Sequence, residues 1–261
     1  MKSVLIYYGY PSSFNYSANG WNPANVITDI GSHYDVVVFG SGLENPAHPD
    51  HANTHTIING LKASYSTKIF GYVTVAQSLQ DFQSKCDAWD DMAPHGIFMD
   101  ESGYDFGKTR SEFNDRVDYI HGLDNANICF ANAWNTDNIL GIEEDASYPN
   151  STYNSGEDAS NLASTDYCLL ENLCVLDSTY ESLSQCYARA NKAKLLENTF
   201  GPKMIAVSVL ANNDGDAQAK FNNLYYNAHV WKLEGVGSSD SYFASGSATV
   251  TFWTRPSVTH L

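Results

Sequence analysis

The sequence predicts a single α/β domain built as a (β/α)8 TIM barrel. Three observations support this. The chain has 261 residues, about the length of one such barrel. Eight apolar runs recur roughly 30–40 residues apart, the chain needed for one strand, one helix and two loops. Amphipathic helical stripes fill the spaces between the runs.

The runs are Ser3–Tyr8, Asp35–Phe39, Lys68–Val73, Gly96–Met99, Asn127–Ala131, Asp166–Leu170, Lys203–Leu210 and Gly235–Ser238. Most are apolar at successive positions, as parallel strands covered on both faces are. Leu79, Phe82, Cys86 and Trp89 lie at helical spacing. So do Phe113, Val117 and Ile120, behind a Thr109–Glu112 capping box. Ser178 and Glu181 have the spacing of a second box, expected to open a helix through Leu183, Tyr187 and Ala190. Phe221, Leu224, Tyr225 and Ala228 mark another helix. Eight such units favour a closed barrel over an open sheet. The first strand also runs into Gly9-Tyr10-Pro11, without the GxGxxG turn of a nucleotide-binding sheet. The barrel is expected over residues 1–245. Ala248–Trp253 reads as an extra strand, and residues 246–261 as a C-terminal arm packed on the barrel.

Charge narrows the function. Thirty acidic residues against 14 basic ones leave a net charge of −16. Such a field repels nucleic acid and anionic membranes and attracts cationic partners. No apolar run is long enough to span a membrane. Met1–Tyr8 reads as a first strand rather than a secretory signal, yet action outside the cell or at its surface is expected. The five cysteines show no CxxC and no zinc spacing. Their usage leans toward a reducing compartment, with a Cys174–Cys186 bridge left open.

Barrel enzymes do chemistry where strands end at the C-terminal face, and that rule selects the candidates. The first strand ends in Tyr8 and Tyr10, the third in Tyr72, and the fourth in Asp100 and Glu101. The fifth ends in Asn132 and Trp134, the sixth in Glu171 and Asn172, and the eighth near Asp240 and Tyr242. A carboxylate directly after an apolar strand is costly unless paired or used. Two strands carry one, among aromatic rings and amides that suit sugar faces and hydroxyls. Glycoside hydrolysis needs two such carboxyl groups flanking the scissile bond. Adjacent strand residues face opposite ways, so Asp100 ranks above Glu101. The loop spanning residues 141–163 adds Glu143, Glu144, Asp145, Glu157 and Asp158, with Tyr148 and Tyr153, over this face. His48, His51 and His55 cluster near Asp50, which reads as a polar loop entering a helix; no metal or cofactor is expected.

These residues resemble those of the spherulin-4-like and endo-α-1,4-polygalactosaminidase-like glycoside hydrolases. The matching pieces are VLIYYGYP (4–11), KIFGYVT (68–74), GIFMDESGYD (96–105), ICFANAW (128–134), YCLLEN (167–172) and GVGSSDSYF (235–243). The resemblance implies cleavage of an α-1,4-galactosamine or N-acetylgalactosamine polymer, endo-acting and retaining. It places the acid/base on Asp100, beside Glu101, and the nucleophile on Glu171. The chain departs from the family pattern at Trp134, where a Pro-Gly turn is commoner. Partly deacetylated galactosamine polymers are cationic, which suits the acidic charge. Two other readings stand beside this one: a carbohydrate-binding barrel without catalysis, such as an adhesion or virion surface component, and a metal-dependent deacetylase using His48, His51 and His55.

Overall fold

The computed structural model describes residues 1–176, 178–210, 215–239 and 251–256. Eight parallel strands close into a barrel: β1 (Lys2–Tyr7), β2 (Val36–Phe39), β3 (Lys68–Thr74), β4 (Gly96–Asp100), β5 (Ile128–Asn132), β6 (Tyr167–Glu171), β7 (Lys203–Val209) and β8 (Gly235–Ser239). Each pairs with its sequence neighbours, and β8 returns to β1 with Lys2 opposite Gly235. All eight expected strands form, within two residues of their expected bounds.

Alternation sorts each strand into two layers. Val4, Ile6, Val36, Val38, Phe70, Phe98, Phe130, Tyr167, Leu169, Ile205 and Val207 fill the interior. Leu5, Val37, Ile69, Ile97, Met99, Cys129 and Leu170 face the helices. Phe70, Phe98, Phe130 and Tyr167 pack edge-on and tilted inside, with ring centres 5.1–5.8 Å apart. Such pairs add about 0.5–1.5 kcal/mol each beyond burial, and they make a solid floor under the C-terminal mouth.

Helices Pro23–His33, His51–Ser64, Leu79–Met92, Arg110–His121, Leu183–Phe200 and Ala217–Val230 surround the barrel. Thr109 and Glu112 form the expected reciprocal cap. The second expected box does not form. Ser182 and Gln185 cap the helix instead, because Thr179–Tyr180 pairs with Val175–Leu176 in a short hairpin. Leu183 and Tyr187 consequently face solvent, while Cys186 and Ala190 are buried. Gly71 is needed where β3 meets Trp89, since a Cβ there would sit 2.2 Å from the indole.

The fifth crossover holds only one helical turn, Asn150–Tyr153, in place of a long helix. Buried Arg110 organises it from the preceding helix. Its guanidinium donates to the carbonyls of Asp158 at 2.9 Å, Gly141 at 3.0 Å and Asn138 at 3.3 Å. Tyr153 stacks on Tyr104 at 5.1 Å and meets Tyr148 edge-on at 5.6 Å.

The extra strand does not form at its described end. Thr251–Trp253 has no strand pairing, and a closed barrel leaves no edge for it to join. Phe252 stacks on His33 at 3.9 Å and Trp253 on Phe221 at 6.1 Å. Residues 248–250 lie outside the described residues. Cys174 and Cys186 are joined as a disulfide, and Cys86, Cys129 and Cys168 are free and buried. Among the described residues, no helix is long and apolar enough to cross a membrane.

Candidate active site

The inward register of each strand continues to its C-terminal end. Phe98 faces inward, so Asp100 does too; Leu169 carries Glu171, Phe130 carries Asn132, Ile6 carries Tyr8 and Phe70 carries Tyr72. The outcome is an open cleft of about 400 Å³ over the aromatic floor. Ile6, Tyr8, Asp100, Glu101, Asn132, Trp134, Leu169 and Glu171 line it, with Asp105 and Phe106 from the loop after β4.

Asp100 accepts a hydrogen bond from Asn132 Nδ2 at 2.9 Å and a second from the Tyr72 hydroxyl. Tyr72 packs edge-on to Tyr8 at 5.3 Å. Burial and then the Asp100 charge push both phenols well above the ordinary tyrosine range. Both therefore stay neutral donors beside the carboxylates.

Glu101 departs from expectation. Strand alternation would turn it outward, but β4 ends at Asp100 and Glu101 takes a left-handed backbone with φ of 57°. That turn brings its side chain into the same cleft, where the Thr74 hydroxyl donates to it. A non-glycine residue held this way costs about 1–3 kcal/mol, and such strain clusters at functional sites. Ser102 staples the turn through its N–H to Asn132 O at 2.9 Å and its hydroxyl to Met99 O at 2.8 Å.

The end of β6 repeats the arrangement. Glu171 faces the cleft, and Asn172 follows with φ of 55°. Asn172 itself is buried below the mouth and accepts from the Val209 N–H at 3.3 Å, away from the cleft lining. Arg189 donates to the Glu171 carbonyl and to the Asn172 carbonyl at 2.9 Å. It also pairs with Glu181 at 2.8 Å and lies 5.5 Å from the Trp134 ring centre.

Tyr10 lies outside this lining, packed edge-on against His48 at 4.9 Å. Asp240 and Tyr242 lie outside the described residues. Asp105, Phe106 and Arg189 join the site without having stood out in the sequence. Asp105 and Phe106 stand past the strand end, in the loop. Arg189 lies on a helix 18 residues beyond Glu171 and carries no local signal of its role.

Two of the three clustered histidines, His48 and His51, bond to nearby main-chain groups. Asp50 N–H donates to His48 Nδ1 at 3.1 Å, and His51 Nδ1 meets Leu43 O at 2.8 Å. Among the described residues, His121, Cys129 and Asp166 could geometrically share an ion. Asp166 is already bonded by the backbone N–H groups of Cys129 at 2.8 Å and Ala163 at 2.6 Å, and by His121 at 3.0 Å. Burial also pushes the Cys129 thiol well up, which disfavours the thiolate a metal needs.

No family model matches the chain, and no curated relative does. Solved structures do. The glycoside hydrolase domain of PelA from Pseudomonas aeruginosa aligns over 95% of this chain and 99% of its own, at 11% identity and a TM-score of 0.55. A thermostable mutant of the xylanase Xyn10A from Cellvibrio japonicus aligns over 91% and 86%, at 11% identity and 0.57. Aspergillus clavatus Sph3 in complex with GalNAc aligns more loosely, over 94% and 92%, at 16% identity and 0.48. At these identities the likeness is one of fold, and the chain is similar to barrels of the glycoside hydrolase type.

Proposed function

We propose that the protein is a glycoside hydrolase that cleaves an amino-sugar polysaccharide of the α-1,4-galactosamine or N-acetylgalactosamine type, within the chain and with retention. The observation that carries this reading is the meeting of Asp100 and Glu171 in one open cleft. Each is an inward-facing carboxylate at a strand end, and an exposed tryptophan walls the cleft. The fold shared with the glycoside hydrolase domain of PelA supports it.

In the proposed mechanism each of these groups takes its own part. In its protonated form Asp100, held by Asn132 and Tyr72, gives its proton to the glycosidic oxygen as the bond to the anomeric carbon breaks. Glu171 attacks that carbon and forms a glycosyl ester. Asp100, now a carboxylate, takes a proton from water, whose oxygen displaces Glu171. Glu101, bonded to Thr74, adds negative charge beside the developing oxocarbenium ion. The Cys174–Cys186 disulfide supports action outside the cell or at its surface.

Asp100→Asn and Glu171→Gln should each lower release of new reducing ends by roughly 10²–10⁴-fold with unchanged folding. Full activity in both variants would overturn the assignment. Glycan binding by the parent protein with no new reducing ends would leave a binding barrel instead. The anomer formed first, read by NMR, tests retention.

A further inference from the structure

Beside the cleft lies a second hollow of about 490 Å³, under the loop after β5. It shares two residues with the cleft, Trp134 and Asp105. A polymer leaving the cleft past Trp134 therefore enters it directly. Trp134 is 54% exposed, ample face for a pyranose ring. Tyr148 adds a second aromatic wall, and the fifth-crossover loop is held in place from below by Arg110.

The polar groups there favour a donor-rich ligand. Asn138 is 3% exposed, lines the hollow, and its Oδ1 finds no donor among the described residues. Asp145 accepts from Asn135 Nδ2 at 3.1 Å and from the Ser147 N–H at 2.9 Å. A carboxylate offers about four lone-pair sites, so Asp145 keeps further capacity for a ligand. Asp105 is exposed at the shared rim. Arg189 is the cation of this hollow, and Glu181 offsets its charge at 2.8 Å. Two carboxylates thus remain to meet a ligand cation.

We propose that this hollow is a second sugar subsite, one that selects a protonated amino sugar next to the unit held in the cleft. The ammonium sits between Asp105 and Asp145, the ring lies on Trp134, and a hydroxyl or N–H donates to Asn138. The inference rests on the amino-sugar reading above and adds to it the place where a free amine is told from an acetamide.

The test is equilibrium binding to the catalytically silent Asp100→Asn protein at low salt. The probes are an α-1,4-linked galactosamine oligomer and its fully N-acetylated counterpart. Adding Asp145→Asn should weaken binding of the free-amine oligomer by roughly threefold to fivefold, the scale of a solvated ion pair. Binding of the acetylated oligomer should stay unchanged, and the difference should fade as salt is raised. Asp105→Asn, which breaks no bond that holds the loop, should act in the same direction. If both variants bind the two oligomers as the parent does, or lose both equally, the subsite is wrong while the cleavage reading stands. If neither oligomer binds any variant, the subsite and the amino-sugar reading fall together.

Discussion

Arg189 donates a hydrogen bond to the main-chain carbonyl of Glu171, from a helix that begins twelve residues later in the chain. The same guanidinium pairs with Glu181, whose other oxygen accepts from the Cys174 N–H at 2.8 Å. It also faces Trp134. One side chain therefore holds the strand end that aims Glu171, the hairpin behind it and the aromatic wall of the cleft. Arg189→Ala should lower kcat by roughly 10²-fold through misplacement of Glu171. Arg189→Lys should recover little of it, because an ammonium cannot span two carbonyls and a carboxylate in one plane. Steady-state kinetics with tryptophan emission as a second readout checks this. Wild-type kcat in Arg189→Ala would refute the positioning role.

The left-handed turn at Glu101 reverses a usual ordering of substitutions. Glu101→Ala removes the carboxylate and keeps a Cβ in a conformation that costs roughly 1–2 kcal/mol. Glu101→Gly removes both the carboxylate and that cost. The glycine variant should therefore melt a few degrees above the alanine variant, and both should lose activity. Calorimetry decides, and a lower melting point for the glycine variant would contradict the strain.

The disulfide closes a short loop with a sequence separation of 12. Cys174 and Asn172, on either side of Leu173, both have positive φ, directly after Glu171. Cys174→Ser with Cys186→Ser should cost about 2–3 kcal/mol in unfolding free energy and lower activity by loosening the turn. Denaturant unfolding and activity, each measured with and without a thiol reductant, read the two effects separately.

Two histidines at the barrel's N-terminal end give stability opposite pH slopes. Burial, with Lys68 and Lys62 nearby, lowers the His95 pKa to about 4. The unfolded chain then binds a proton that the folded one resists. Stability is lost as pH falls from about 6.5 toward 4. His121 is raised by its bond to buried Asp166. Its contribution is full below the unfolded value of about 6.5 and disappears as pH rises through the higher folded value. His95→Gln should flatten the acid limb of a stability profile, and His121→Gln the limb near neutrality. Denaturation midpoints between pH 4.5 and 8, roughly, test both, and unchanged slopes would count against each assignment.

Much of this molecule was legible before folding. Continuous apolar runs, spaced for strand and helix, dictated the barrel, because a parallel strand buried on both faces has no polar position to spare. Strand ends named Asp100, Asn132 and Glu171, since alternation carries a strand's inward face to its last residue. Local spacing misled at Ser178, where hairpin pairing outweighed a capping pattern. It also misled at Glu101, where alternation stops with the strand.

What the sequence by itself determined was the period, the layers and the strand-end residues of this protein, all set by local chain geometry and burial. Only tertiary structure decided that Glu101 turns back into the cleft and that Arg189 braces Glu171. It alone joined Trp134 and Asp105 to the hollow beyond the cleft. Those relations depend on contacts between segments far apart in the chain, and no local pattern encodes them.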